Sequence, residues 1–70
     1  MTKNELTDLI EVALDTWEFA KDQKTLNGLT VMRNNMDKEW EAYLALWDYF
    51  DSDDAYDEEV LAAVACEMAR

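Results

Sequence analysis

The sequence contains no proline, and its single glycine is Gly28. Strands, hairpins and linkers are usually bounded by these two residue types, so their scarcity favours a chain built from helices. Apolar residues recur at spacings of three and four, the spacing that places side chains on one face of a helix. The pattern therefore predicts an all-α fold.

Three helices are predicted, at about residues 3–24, 30–51 and 54–69. Seventy residues allow one domain, and half of them are apolar, which is enough for a packed core. We expect a single acidic helical domain over residues 1–70. Its predicted architecture is a small three-helix bundle, with two long helices in a hairpin and a shorter C-terminal helix packed against them.

Two local signals set the predicted ends of the first helix. Thr2 and Glu5 have the spacing of a capping box, in which each side chain accepts a hydrogen bond from an otherwise unpaired backbone amide. Asn27 and Gly28 both tolerate positive φ. We interpret this pair as a helix stop followed by the turn of the hairpin.

Each predicted helix carries an apolar stripe that we expect to be buried. The stripes are Leu6, Leu9, Ile10, Ala13, Leu14, Trp17 and Ala20 or Lys21; Val31 or Met32, Met36, Trp40, Tyr43, Leu44, Trp47 and Phe50; and Tyr56, Val60, Leu61, Val64 and Met68. Residues 43–50 are apolar nearly all around the second helix. Leu46 and Tyr49 point away from its stripe, so they should face the third helix, a second copy of the chain or a target protein.

The charge of the chain is strongly negative and unevenly placed. Seventeen acidic residues against six basic ones give a net charge of −11. Residues 1–38 carry 7 acids and 5 bases, whereas residues 39–70 carry 10 acids and one base, Arg70. Such a field repels nucleic acid and anionic membranes and speeds encounter with basic proteins. We therefore expect a basic protein partner and no direct binding to nucleic acid or membrane.

The residue types present narrow the chemistry. Histidine is absent and Cys66 is the only cysteine, which excludes a disulfide framework and a multi-cysteine zinc site. Cys66 lies in an apolar helical segment, where a thiol behaves as a small hydrophobe. We expect no cofactor, no signal peptide or membrane span, and a reducing, cytoplasmic setting.

The segment of residues 51–57 is similar to the start of a calcium-binding loop of the EF-hand type. That loop needs glycine at its sixth position and glutamate at its twelfth, and here Tyr56 and Ala62 stand there. The alternative is the start of a helix, where the dipole favours acids. In that interpretation the cap is Asp53 or Asp54, and the first turns hold Asp57, Glu58 and Glu59.

A row of acids follows the first predicted helix at spacings of three and four. Its members are Glu5, Asp8, Glu11, Asp15, Glu18 and Asp22. On one helix the row would extend over about five turns, or ~25 Å. Like charges at i,i+4 destabilise a helix, so a row without lysine favours a binding surface. The alternative is a face that only keeps the chain in solution.

These observations predict a non-enzymatic, acidic protein-binding module that occupies a basic, nucleic-acid-binding surface of a partner and inhibits or regulates it. In size, acidity and helicity the chain resembles in type the DNA-mimic inhibitors that phages and mobile elements use against restriction, CRISPR or transcription machinery. The resemblance rests on no shared motif. The predicted partner-binding residues are Asp8, Glu11, Asp15, Glu18, Leu46, Asp48, Tyr49, Asp51, Asp53, Asp54, Asp57 and Glu58.

Two other functions remain open. In the first, the chain is a helical adaptor or homo-oligomer that associates through the aromatic surface around Trp47, Tyr49 and Phe50. In the second, a carboxylate pair such as Asp54 and Glu58 acts as an acid and base. A bundle of this size is expected to offer little room for the ~300 Å³ pocket that such catalysis needs.

Overall fold

A computed structural model describes residues 2–50 and 58–70 of the chain. It has three α-helices and a short 3₁₀ turn, so the predicted all-α, three-helix fold is confirmed. The elements in chain order are α1 (Lys3–Thr16), the 3₁₀ turn (Glu18–Lys21), α2 (Gln23–Phe50) and α3 (Glu58–Met68). None of the described helices has the length and apolarity needed to cross a membrane.

One apolar core joins all the elements. Most of the predicted stripe residues lie in it, because a helix buries the positions that recur every three or four residues. Its buried members are Leu6, Ile10, Ala13, Ala20, Leu29, Met32, Met36, Tyr43, Trp47, Leu61, Val64 and Ala65, and Leu9, Leu14, Trp17, Trp40, Leu46, Phe50, Val60 and Met68 pack around them. The sequence left open Ala20 or Lys21, and Val31 or Met32. Lys21 and Val31 are exposed, so Ala20 and Met32 are the buried members of the two stripes.

The predicted capping box at the start of α1 is present. The backbone N–H of Glu5 donates to Thr2 Oγ1 at 3.2 Å, and the backbone N–H of Thr2 donates to Glu5 Oε1 at 3.4 Å. These bonds satisfy two of the amides that a helix leaves unpaired at its N-terminus. The sequence signal therefore fixed this helix end correctly.

The prediction that the first helix continues to residue 24 is wrong. It ends at Thr16, and Trp17 adopts an extended conformation with φ −79° and ψ 138°. Trp17 and Ala20 still reach the core, because the 3₁₀ turn brings them inward as a longer helix would. Asp22 is extended as well and caps α2, since its Oδ2 accepts from the backbone N–H of Thr25 at 3.2 Å.

The prediction that Asn27 and Gly28 end a helix and form a turn is also wrong. Both lie inside α2, and Gly28 is buried against Ala65 of α3. A β-carbon on Gly28 would stand only 1.8 Å from the Ala65 carbonyl oxygen. Glycine is therefore present here to let two helix backbones approach, not to supply positive φ.

Near this crossing, a short hydrogen-bonded chain joins α2 to α3. Thr25 Oγ1 donates its proton to Asp22 Oδ2 at 3.1 Å. The Cys66 thiol lies 3.3 Å from the same Thr25 oxygen. Because the hydroxyl has a single proton and the carboxylate accepts it, the thiol is the donor in the second contact. The half-buried Cys66 thus fixes α3 on α2 through Thr25.

The helix α2 is sharply bent at Glu39, whose φ of −122° and ψ of 23° are not helical. A straight helix of 28 residues would be about 42 Å long, but the molecule measures 26 × 25 × 22 Å. We therefore describe an N-terminal arm, residues 23–38, and a C-terminal arm, residues 40–50. The prediction of one helix over residues 30–51 did not include this bend.

Tyr43 holds the two arms together on the inner side of the bend. Its hydroxyl donates to the backbone carbonyl of Val31 at 3.4 Å, a group about 18 Å away along a straight helix. Burial raises the pKa of Tyr43 above its usual value, and the negative charge of Glu39 raises it further. The buried phenol is therefore held in its neutral form.

Replacing Gly28 with alanine tests the crossing of α2 and α3. In an exposed helix, Gly→Ala adds about 1 kcal/mol of stability. Here the methyl group would overlap the Ala65 carbonyl, and overpacking costs about 1–3 kcal/mol, so we expect Gly28→Ala to lower the free energy of unfolding. Urea denaturation of Gly28→Ala and of the exposed control Asn34→Ala measures the difference. A Gly28→Ala protein more stable than the wild type would contradict the close crossing.

Replacing Tyr43 with phenylalanine tests the environment of the phenol at the bend. The folded state binds the phenol proton more tightly than the unfolded state does, so its stabilising contribution is complete below about pH 10 and is lost as the pH rises through the folded pKa. We expect wild-type stability to fall more steeply than that of Tyr43→Phe between about pH 9 and about pH 11. Denaturant unfolding across this range measures both slopes, and equal slopes would contradict the raised pKa.

Candidate protein-binding surface

An outward acidic surface lies on α1, and we call it the α1 acidic face. Its three members, Asp8, Glu11 and Asp15, lie about 140–200° around the helix from the buried Leu6. All three are exposed, as the helical spacing predicts. The fold therefore turns this part of the predicted row directly towards solvent.

The predicted row of six acids does not form one continuous stripe. Because α1 ends at Thr16, the helical part of the row is confined to Glu5, Asp8, Glu11 and Asp15, about 15 Å long. Glu18 is exposed on the 3₁₀ turn, and Asp22 is occupied in capping α2. The five-turn stripe expected from the sequence is thus wrong in its extent.

The α1 acidic face carries uncompensated charge. Lys3 is the only base on α1, and it pairs with Asp37 at the far end of the N-terminal arm of α2, Nζ to Oδ1, at 2.6 Å. This bond and the lysine charge lower the pKa of Asp37. Across residues 2–50 and 58–70, no ion pair involves the three carboxylates of the face.

The predicted aromatic surface is smaller than the sequence indicated. Trp47 is buried in the core at 5% exposure, and Leu46 is half-buried against it. Tyr49 is 79% exposed beside the exposed Asp48, and its ring meets the Phe50 ring edge to face at a centroid distance of 5.3 Å. Tyr49 and Phe50 are therefore what this surface presents at the end of the C-terminal arm.

The remaining predicted binding residues are Glu58, at the start of α3, and the acids that precede it in the sequence. Glu58 and Glu59 are exposed in its first turn, as predicted for a helix start. Five predicted residues lie outside the described part of the chain: Asp51, Asp53, Asp54, Tyr56 and Asp57. The similarity to a calcium-binding loop and the predicted helix cap concern these residues. Among the side chains that are described, no group of His, Cys, Asp or Glu is placed to hold a metal ion.

Two concave regions were not anticipated from the sequence. A cleft of about 660 Å³ follows the bend over residues 37–42, with Trp40 half-buried in it. The volume of this open region exceeds the ~300 Å³ for which a bundle of this size was expected to offer little room. The second region is a groove of about 300 Å³ on the flank of α1, lined by Glu5, Asp8, Leu9 and Val12.

Val12 is the residue of the groove that carried an unused sequence signal. It is apolar but lies about 200° around the helix from Ile10, outside the buried stripe. It is 51% exposed in the structure. The phase of Val12 is a weak signal by itself, because single exposed apolar residues are common on protein surfaces.

The sequence matches no protein-family model, and comparison with curated proteins and with solved structures finds no similar protein. The arguments for function therefore rest on the surfaces of this chain alone.

Neutralising the α1 acidic face tests whether its acids are needed for folding. The variant Asp8→Asn, Glu11→Gln, Asp15→Asn removes like-charge repulsion worth about 0.2–0.5 kcal/mol per neighbouring pair. We expect its free energy of unfolding in urea to equal or exceed that of the wild type. Asp22→Ala serves as the control, because loss of this cap should cost about 1 kcal/mol. A destabilised triple variant would show that the face is structural.

Proposed function

We propose that this protein is an acidic binding module that occupies a basic, nucleic-acid-binding surface of a partner protein and so inhibits or regulates it. The observation that carries the proposal is the α1 acidic face, which directs three exposed carboxylates to solvent from one helix and forms no ion pair with any of the described residues. Inhibition of host defence or transcription machinery, in the manner of a phage-encoded DNA mimic, is the form of this function that we favour.

The charge spacing on α1 is of the same order as that of DNA phosphates but wider. Carboxylates at helical spacings of three and four fall about 5 Å apart along α1, whereas phosphates follow one DNA strand every ~3.4 Å. The face alone is therefore sparser than DNA. Glu18 on the adjacent turn, and Asp48 and Glu58 elsewhere, add exposed negative charge to the surface.

Electrostatics also favours a protein partner over other ligands. A net charge of −11 repels nucleic acid and anionic lipid, and it accelerates encounter with a basic protein. The acids Asp8, Glu11 and Asp15 do not stabilise α1, since neighbouring like charges weaken a helix. A role in binding accounts for a row of acids without a base among them.

A second function is favoured by one observation, the 79% exposure of Tyr49. Tyrosine is enriched at the centres of protein interfaces, and here its ring packs edge to face against the Phe50 ring at the surface. An adaptor or homodimer that associates through these two rings would be little affected by salt, because apolar contacts are weakly screened.

Affinity capture at two salt concentrations tests the proposed function. Wild-type protein is used as bait in lysate of its native host at ~0.1 M and ~0.5 M salt. The Debye length is about 10 Å at the lower concentration and shortens as salt is added, to less than half that value near 1 M. We expect a nucleic-acid-binding protein to be captured at the lower salt only, and to be released by duplex DNA. The triple variant of the α1 acidic face should fail to capture it.

A charge-matched variant controls for nonspecific electrostatics. Glu41→Gln, Glu59→Gln, Glu67→Gln removes the same number of negative charges away from the face, leaves the Lys3–Asp37 ion pair intact, and should capture the partner as the wild type does. Capture of the partner that persists at high salt, with added DNA and with the triple variant would contradict the proposal. If Tyr49→Ala then abolished the capture, the function would belong to the aromatic surface.

A further inference from the structure

The groove on the flank of α1 lies directly beside the α1 acidic face. The groove is lined by residues at spacings of three, one and three, which lie on one side of a helix. They form a single strip along α1: Glu5, Asp8, Leu9 and Val12. Asp8 belongs both to the groove and to the acidic face. One ligand can therefore contact both surfaces at once.

The floor of the groove is apolar and its rim is acidic. Val12 is 51% exposed, and Leu9 is half-buried with its inner side packed on the core. The carboxylates of Glu5 and Asp8 border these two side chains. Because all four residues belong to one helix, the groove is a shallow strip that is open to solvent along its length, and it suits an extended contact with another helix.

Charge decides which occupant suits this groove. A second copy of the chain would bring another net charge of −11 against the acidic rim, and an anionic membrane or nucleic acid would be repelled in the same way. A basic segment with apolar residues on one side satisfies both the floor and the rim. Amphipathic helices commonly dock in such grooves through residues spaced three and four apart.

We propose that the groove lined by Glu5, Asp8, Leu9 and Val12 binds a basic amphipathic helix of the partner, whose apolar side chains contact Leu9 and Val12 while its lysines and arginines face the α1 acidic face. This inference rests on the proposed function and specifies which part of the partner makes contact. It also assigns Val12 as the residue that adds apolar specificity to an otherwise electrostatic surface.

Substituting Val12 with aspartate separates apolar docking from charge attraction, because the two predict opposite effects. The probe is a synthetic helical peptide of about 14 residues, with leucine on one face and lysine on the other, which matches the ~21 Å length of α1. Val12→Asp should bind it about tenfold more weakly, since the apolar contact is lost. Attraction by charge alone would make the same variant bind more tightly.

Val31→Asp is the matched control, because Val31 is 38% exposed on α2 and its replacement adds the same charge outside the groove. It should bind the peptide as well as the wild type. NMR titration of the labelled wild-type protein gives a second measurement that needs no variant to fold. The amides of Leu9 and Val12 should shift most.

The outcomes separate this inference from the proposed function. If Val12→Asp binds the peptide at least as tightly as the wild type, or if the largest shifts fall outside α1, the groove assignment is overturned. The proposed function would still stand if the triple variant of the α1 acidic face loses the captured partner. If that variant retains the partner, the proposed function fails whatever the peptide does.

Discussion

The contact between Gly28 and Ala65 sets the distance between α2 and α3, and the rest of the packing follows from it. With no side chain at Gly28, the two backbones touch, and α3 packs more extensively on α2 than any other element does. Buried residues on either side of the crossing, such as Leu29 and Val64, then close the core. The hydrogen-bonded contact from Cys66 to Thr25 holds the same crossing from α3.

The bend at Glu39 is the second determinant of shape. It folds 28 residues of helix into two arms, so that a chain of this length gains an additional packing layer without an additional loop. Tyr43 and Trp47 on the C-terminal arm enter the core, which removes Trp47 from the surface and leaves Tyr49 as the exposed aromatic residue. The bend therefore decides which aromatic side chains a partner can contact.

The helix α1 packs mainly on α2 and the 3₁₀ turn, and among the described residues its outer side is exposed. That side carries the α1 acidic face and the groove around Val12. Neither is required by the core, and the acids weaken the helix that bears them. A surface that costs stability and stays exposed is consistent with a role in recognition, in which charge guides encounter and the apolar groove adds specificity.

The sequence by itself determined the helical fold class, the capping box at Thr2 and Glu5, and the outward direction of Asp8, Glu11 and Asp15. These features depend on the spacing of residues within one helix, and that spacing can be read directly from the sequence. Whether Gly28 formed a turn or a helix crossing could not be determined locally, because glycine serves both positive φ and close approach. Likewise, Trp17 and Ala20 have a spacing that suits either a longer helix or a 3₁₀ turn. Only the tertiary structure decided these points, since the approach of Ala65 to Gly28 and the contact of Cys66 with Thr25 join parts of the chain that are distant in sequence.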